Sequence, residues 1–273
     1  MTVRRTGLWP VLCLCAVLSG TVVADSDAGA GSGPAFAIII DDLGKQLGPG
    51  KRVISLPGPV ACSFLPRERY TARLAEAAHR SGKEVLLHLP MDSVDGRPLD
   101  DGAVTLDMTR EEFVRTVQFN LAVVPHAVGI NNHMGSLLTR HPGHMYWLMQ
   151  EILRYPPLFF VDSRTTVETV ARRVAIENGV PSTDRNVFLD NEVDPGRIAY
   201  QLRRLVRLAR SQGTALAIGH PYPETLAMLE KEIPKLTQQG LKLVPVGALI
   251  EMQQQGENTW QASWSPLHRD VKN

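Results

Sequence analysis

Short runs of aliphatic residues recur along the chain and alternate with longer segments whose apolar positions follow a helical period. The runs are nearly continuous, which is typical of parallel strands buried on both faces. They occupy residues 35–40, 59–65, 84–88, 127–131, 158–161, 186–189, 215–219 and 241–246. Strands alternating with helices predict a parallel α/β architecture, and seven to eight such units fit a distorted (β/α) barrel better than a doubly wound sheet.

Local start and stop signals bound the predicted helices. Thr109 with Glu112, and Thr165 with Glu168, each have the spacing of a capping box before an amphipathic segment. A further helix is expected to begin near Pro195, because proline is favoured in the first turn. Glycine stops several of these segments, as it commonly does just past a helix end.

The N-terminal residues differ from the rest of the chain. Arg4 and Arg5 precede an apolar run over residues 7–23, and small residues up to Ala24 offer a cleavage point. This is the layout of a secretory signal peptide, so we predict a periplasmic or otherwise exported protein with no membrane span after cleavage. An uncleaved membrane anchor is the alternative, although the run is slightly short for a span.

These features divide the chain into four predicted regions. They are a signal peptide at 1–24, a flexible tether at 25–34, a barrel domain at 35–250 and a polar C-terminal tail at 251–273. Of the three cysteines, only Cys62 lies beyond the predicted signal, so no internal disulfide is expected. The formal net charge of +1 argues against nucleic acid as a partner.

Side chains with metal-binding or acid–base chemistry follow six of the predicted strands. They are Asp41 and Asp42, then His88, then Asn131, Asn132 and His133, then Asp162 and Arg164, then Asp190, and lastly His220. Since the carboxyl ends of barrel strands surround one mouth, we expect these groups to meet there. Imidazoles and carboxylates around one cavity predict a site for a borderline-to-hard metal. For Asp190, capping of the following helix is an equal alternative.

Other polar features are interpreted as structural. The arginines of the helix over residues 197–210 are expected to form a solvated exterior, with docking of an anionic polymer as the lesser alternative. The acidic loop over residues 92–107 is expected either to rim the mouth or to be a solvated connection. The remaining histidines are assigned to the surface or to helix ends: His79, His126, His141, His144 and His268.

Six motifs occur in order over residues 35 to about 250: "IIIDDLG", "EVLLHLPM", "NNHMGS", "FFVDSRT", "VFLDNE" and "AIGHPYPETL". Together they resemble the divergent polysaccharide deacetylase family. The resemblance implies a distorted (β/α) barrel and a metal-dependent carbohydrate esterase. It also implies that Asp41 is the general base, that Asp42 and His88 bind a divalent metal, commonly zinc, and that His220 is the general acid.

One ligand departs from the family pattern. The second histidine of the ligand motif would stand four residues after His88, and this chain has Asp92 there. Either Asp92 substitutes for it or His133 completes the site from the next strand. We favour His133, because a residue at a strand end faces the mouth directly.

The leading functional hypothesis is removal of N-acetyl or similar acyl groups from a cell-envelope glycan. Peptidoglycan is one candidate substrate. Five residues are then expected to orient the reacting groups or to contact the glycan: Asn132, Asp162, Arg164, Asp190 and, with His133 as the ligand, Asp92. The alternative is a non-catalytic protein that binds glycan or a cell-wall hydrolase partner through the same mouth. A metal-dependent hydrolase acting on a different bond would use the same residues.

Overall fold

The computed structural model describes residues 2 and 33–264, and within the longer stretch it describes side chains through residue 256. The predicted signal peptide, apart from Thr2, lies outside the described residues, as do most of the predicted tether and residues 265–273. Across the part of the chain that is described, no helix is long and apolar enough to cross a membrane.

Nine parallel strands form one curved sheet in the described region. In chain order they are β1 (Ala35–Leu43), β2 (Ala61–Phe64), β3 (Val85–Met91), β4 (Ala127–Met134), β5 (Phe159–Asp162), β6 (Ser182–Asp184), β7 (Val187–Phe188), β8 (Thr214–Gly219) and β9 (Lys242–Leu243). Their order across the sheet is β6-β5-β4-β3-β2-β1-β8-β7, with β9 paired beside β1. The predicted distorted barrel is therefore confirmed, and β6 and β7 are the two ends of a partly open sheet.

The strand that sequence reasoning did not predict is β6. Its residues, Ser182 to Asp184, are polar and carry no aliphatic signal. They pair with β5 through the backbone, with Ser182 opposite Phe160. Pairing with an existing strand edge, rather than side-chain pattern, places this segment in the sheet.

Eight α-helices connect or cover the strands in the described region: α1 (Leu47–Ile54), α2 (Thr71–Arg80), α3 (Arg110–Val123), α4 (Pro142–Ile152), α5 (Ala171–Glu177), α6 (Pro195–Gln212), α7 (Pro223–Gln238) and α8 (Val246–Trp264). A short 3-10 helix, Leu138–Arg140, precedes α4. The last helix, α8, runs from the end of the predicted barrel domain at residue 250 into the predicted tail, which begins at residue 251.

The capping predictions have mixed outcomes. Thr109 and Glu112 form the predicted reciprocal capping box at the start of α3. The second predicted box is wrong, because α5 begins only after Val170, which makes no side-chain cap. The Thr165 hydroxyl instead donates to the Met134 carbonyl, 2.9 Å away, and so joins the loop after β5 to the end of β4. A tertiary contact has replaced the local cap.

The two faces of the sheet bury two separate cores. Along β1, Phe36, Ile38 and Ile40 belong to the larger core beneath the outer helices, whereas Ala37 and Ile39 belong to a smaller core on the concave face. This division follows from the two-residue period of a strand, which sends successive side chains to opposite faces. The same period divides β3, β5 and β8.

Helix α8 fills the concave side near the amino ends of the strands. Its residues Val246, Leu249 and Ile250 pack into the smaller core. Glu84, just before β3, accepts hydrogen bonds from the backbone amides of Val246 at 2.5 Å and Gly247 at 3.0 Å. A carboxylate at these first-turn amides satisfies donors that have no partner within the helix. The interior of the barrel is thus closed below by apolar packing.

We predict that Leu249→Ala destabilises the fold. The side chain is fully buried in the smaller core, and a buried Leu→Ala change typically costs about 2–5 kcal/mol. The free energy of unfolding, measured by urea denaturation, tests this. Glu251→Ala, in the same helix but exposed, is the control, with an expected change of less than about 0.5 kcal/mol. An equal loss in both variants would contradict the placement of α8.

Candidate metal centre

Polar residues occupy the concave face directly above the apolar layer of the smaller core. All but one stand two residues beyond an inward-facing apolar or small residue of the same strand, and His133 stands two residues beyond Asn131, so the strand period points each of them inward as well. In β1 the residue is Asp41, two beyond Ile39, and in β3 it is His88, two beyond Leu86. The others are Ser63 of β2, Asn131 and His133 of β4, and His220 after β8.

Asp42 reaches the same mouth by a different route. Its neighbour Asp41 already faces inward, so regular strand geometry would turn Asp42 to the outer face. Its φ of 57° is instead in the left-handed region, which is uncommon for a residue other than glycine. The pairing of β1 with β2 also shifts register between Ile40 and Leu43. This irregularity lets two adjacent aspartates share one cavity.

Asp42, His88 and His133 converge on one point. Asp42 Oδ1 lies 3.3 Å from His88 Nε2 and 3.0 Å from His133 Nδ1, and the two nitrogens are 3.1 Å apart. Four ligands around a tetrahedral metal with bonds of about 2.0–2.1 Å are separated by about 3.3 Å. Asp42 Oδ1 is buried and makes no hydrogen bond within the described region. The three side chains therefore fit a divalent metal.

Hydrogen bonds determine which nitrogen of His88 faces this point. The Asn131 amide nitrogen donates to both carboxylate oxygens of Asp41, at 2.9 and 3.1 Å, so its amide oxygen must face the other way. That oxygen accepts from Ser63 Oγ at 2.6 Å and from His88 Nδ1 at 3.0 Å. With its proton on Nδ1, neutral His88 presents the Nε2 lone pair to the convergence point, as a metal ligand requires.

His133 is held by a contact from a different loop. Its Nε2 lies 3.0 Å from Asp100 Oδ2, and the other oxygen of Asp100 accepts from Lys45 Nζ at 3.1 Å. Asp100 belongs to the acidic loop between β3 and α3, which therefore rims the mouth. The Nδ1 atom of His133 is left facing Asp42 and His88.

Charge and burial act in opposite directions on the cluster. Burial alone would raise the pKa of Asp42, but the close contacts and charge of His133 and His88 hold it well below its ordinary value. Burial alone would lower the pKa of His88, but the carboxylates of Asp41 and Asp42 outweigh it and raise that pKa. Asp42 is thus kept ionised, which a carboxylate ligand must be.

A third histidine stands at the edge of the cluster. The Nε2 atom of His220 is 3.9 Å from Asp42 Oδ2, and its Nδ1 donates to Asp190 Oδ1 at 2.9 Å. Asp190 Oδ2 also accepts from the His220 amide and from Thr225 Oγ1, each at 2.7 Å. Burial would lower the pKa of His220, but Asp190 and the charges of Asp41 and Asp42 raise it to about 9. Asp190 thus fixes the ring of His220 as well as contacting α7.

Other predicted residues lie around the centre rather than in it. Asp92 accepts a 3.5 Å hydrogen bond from the Leu106 amide, and it is not among the three side chains that converge. Asn132 accepts from the Ser163 amide at 2.8 Å and donates to the Met134 carbonyl. Both residues connect the loops that frame the mouth.

The residues after β5 also hold loops in place. Asp162 is buried, and its oxygens accept from the Arg164 amide and from Thr169 Oγ1, each at 2.8 Å. Burial raises the pKa of Asp162, against these donors. The Arg164 guanidinium is half exposed and bonds to Asp184 at 3.0 Å. Asp162 therefore holds the loop after β5 together, and Arg164 joins that loop to β6. None of their side-chain hydrogen bonds goes to the converging ligands.

Sequence reasoning did not select several residues that contact the centre. The sequence places Asn131 among the residues expected at the mouth, but the role of orienting the reacting groups is predicted for its neighbour Asn132 instead. The strand period distinguishes the two, because Asn131 has the same parity as His133 and therefore the same face. No sequence pattern points to three further residues, because their contacts join separate segments of the chain: Ser63, Lys45 and Asp100.

Residues 38–250 match the sequence model of the divergent polysaccharide deacetylase family, and the chain belongs to that family. It is 37% identical over 224 residues to YibQ, an uncharacterized protein of Escherichia coli K12. That alignment covers 82% of this chain and 70% of that protein.

Solved structures share the fold. The uncharacterized protein ATU2773 of Agrobacterium tumefaciens aligns with a TM-score of 0.77 and 23% identity, over 81% of this chain and 90% of that one. The peptidoglycan deacetylase PdaC of Bacillus subtilis aligns with 0.53 and 14%, over 85% and 98%. BA3943 of Bacillus anthracis, a CE4 family pseudoenzyme, aligns with 0.50 and 13%, over 80% and 66%. At these identities the likeness concerns the fold alone.

We predict that removal of a converging ligand abolishes tight metal binding. His133→Ala should weaken zinc affinity by more than the roughly 10–100-fold that loss of a ligand's hydrogen-bonding partner typically costs. Asp92→Asn should leave the affinity nearly unchanged, because Asp92 does not converge with the other groups. Competition with a chromogenic chelator measures both constants. A larger loss of zinc affinity in Asp92→Asn than in His133→Ala would show that Asp92, and not His133, is the third ligand.

Proposed function

We propose that the chain is a metal-dependent hydrolase that removes N-acetyl groups from a cell-envelope glycan. The observation that carries the proposal is the arrangement around Asp42, His88 and His133. A buried carboxylate, Asp41, lies 3.6 Å from His88 Nε2, and an imidazole, His220, lies 3.9 Å from Asp42. One base and one acid thus flank three metal ligands. Zinc suits the donor set of two imidazoles and one carboxylate.

Asp41 is the general base of the proposed reaction. It is not among the converging ligands, so its carboxylate is available to accept the proton of the attacking water. The Asn131 amide contacts both of its oxygens and fixes its orientation. A bound divalent metal would polarise the acyl carbonyl and lower the pKa of the water.

His220 is the general acid. The water oxygen bonds to the acyl carbon, the carbon–nitrogen bond breaks, and the sugar nitrogen leaves as an amine with a proton from His220 Nε2. The products are acetate and the free amino sugar. Because Asp190 holds Nδ1–H, the proton to be transferred lies on the nitrogen that faces the centre. A pKa raised to about 9 keeps this proton in place at neutral pH.

A cavity beside the centre offers room for substrate. It has a volume of about 320 Å³ and opens between the loops after β1 and β8. Asp42 and His220 line its inner end, and Tyr222 with its flanking prolines lines one side. A sugar ring that packs on this wall would bring its acyl group towards the acid and the ligands.

Export is part of the proposal. The basic and apolar segment over residues 1–24 supports a signal peptide, which would deliver the domain to the cell envelope. The match to the fold of a peptidoglycan deacetylase supports peptidoglycan as one substrate to test.

The direct test is acetate release. The zinc-loaded protein should release acetate from acetylated chitooligosaccharide or from peptidoglycan fragments. Asp41→Asn should retain zinc but lose roughly 10²–10⁴-fold in kcat, as is typical when a general acid or base is removed. Absence of turnover on both substrates, with zinc bound, would refute the proposal.

The second candidate is a non-catalytic glycan-binding or partner-binding protein of the envelope. It is supported by the pseudoenzyme of the same fold and by the Asp92 departure from the ligand motif. Glycan binding that persists in Asp41→Asn and in metal-free protein, without acetate release by the wild type, would favour it.

We predict that Asp190→Asn moves the alkaline limb of the pH profile to lower pH. His220 must be protonated to act as the acid, so kcat/KM falls as pH rises through its pKa. Asp190 helps to raise that pKa to about 9, and the uncharged amide would raise it less. The profile of kcat/KM from pH 6 to 10 measures the shift. Asp194→Asn, which alters the cap of α6 instead, should leave the limb in place.

A further inference from the structure

We infer that Asp100 is a positioning residue for the metal centre and that Lys45 holds it in place. The inference rests on the metal site proposed above. His133 is the ligand that departs from the family pattern, and unlike His88 it is partly exposed, with 17% of its side chain accessible. A ring at the mouth of the barrel needs a partner to fix its orientation.

Asp100 supplies this partner. Its Oδ2 lies 3.0 Å from His133 Nε2, so a proton on Nε2 is donated to a carboxylate. Neutral imidazole carries one ring proton, and a proton on Nε2 leaves the lone pair on Nδ1. Nδ1 is the atom that lies 3.0 Å from Asp42 and 3.1 Å from His88. Ligating histidines commonly donate their second N–H to a carboxylate, which orients the ring and strengthens the ligand.

The loop that carries Asp100 is anchored on both sides. At its base the Val104 amide donates to the Pro90 carbonyl at 2.9 Å, and the Asp92 amide donates to Val104 at 3.1 Å. Near its tip Asn120 Nδ2 donates to the Gly102 carbonyl at 2.7 Å. These contacts close the base of the loop and fix the backbone that follows Asp100.

Lys45 then fixes the Asp100 side chain from across the mouth. It lies in the loop after β1 and donates to Asp100 Oδ1 at 3.1 Å. The chain of contacts runs from Lys45 through Asp100 to His133, and so joins the loops after β1 and β3 to the end of β4. An exposed ion pair by itself contributes little to stability. We therefore expect its effect in the affinity for metal rather than in the folding of the protein.

The chain offers a matched control for Asp100. Asp101 is the adjacent carboxylate, but it is exposed and makes no hydrogen bond or ion pair with other described residues. Asp101→Asn therefore makes the same change of charge one residue away. A difference between Asp100→Asn and Asp101→Asn reports the contact with His133 and not the general field of the loop.

The experiment measures the zinc dissociation constant of the full chain by chelator competition, in the wild type and three variants. Asp100→Asn should raise the constant by about 10–100-fold, and Asp101→Asn should leave it nearly unchanged. Lys45→Met keeps the carboxylate of Asp100 but removes the ammonium group that anchors it. The zinc dissociation constant should therefore rise in this variant too, but by less than in Asp100→Asn. The melting temperature of the metal-free proteins should not differ, which separates positioning from folding.

A spectroscopic measurement tests the orientation itself. In zinc-loaded wild type, ¹⁵N NMR of the imidazoles should show His133 bound to zinc through Nδ1, with a slowly exchanging proton on Nε2. That proton should exchange faster in Asp100→Asn and remain slow in Asp101→Asn.

Two different results would overturn the inference. Wild-type protein that binds no zinc would refute both the metal site and the role of Asp100. Wild-type protein that binds zinc tightly, with equal affinity in Asp100→Asn and Asp101→Asn or with His133 bound through Nε2, would refute the role of Asp100 alone.

Discussion

The candidate site depends on the alternation of side chains across one curved parallel sheet. Near the amino ends of the strands, the inward positions are apolar and pack on α8. Two residues further along, the same face carries Asp41, His88 and Asn131. Because a strand cannot turn one side chain without turning its neighbours, the apolar layer that closes the barrel below also aims the polar groups above it. The core and the site are consecutive layers of one surface.

Burying these polar groups is costly unless each has a partner, and Asn131 is the residue that meets this requirement. It donates to Asp41 and accepts from Ser63 and His88. A neutral amide thereby connects a carboxylate to an imidazole without adding charge. The adjacent aspartates are then given different surroundings: Asp41 receives amide donors, whereas Asp42 faces imidazole nitrogens. Different surroundings are what the two proposed roles require, with Asp41 as the base and Asp42 as the ligand.

The register of β3 and β4 accounts for the convergence of His133 with Asp42 and His88. Pro90, two residues past His88, is paired with His133 of the neighbouring strand. A side chain at the end of β4 therefore lies close to the position that the loop after β3 would otherwise supply. The rings of His88 and His133 meet edge to face, with centroids 4.8 Å apart. That loop is left to provide Asp100, and its Asp92 joins backbone segments at the rim. Solved structures of the same fold include both a deacetylase and a pseudoenzyme, so the fold by itself does not assign an activity.

The sequence by itself determined the parallel barrel, because aliphatic runs separated by amphipathic helices satisfy few other architectures. It also determined which strand ends carry ligand chemistry, and it favoured His133 over Asp92 from strand position. Only the tertiary structure decided the contacts that join distant segments. The polar strand β6, the loss of the Thr165 cap, and the partners Asn131 and Asp100 are of this kind. The physical reason is that periodicity encodes the face a side chain occupies, whereas a hydrogen bond between loops depends on where the folded backbone brings two residues that no local pattern relates.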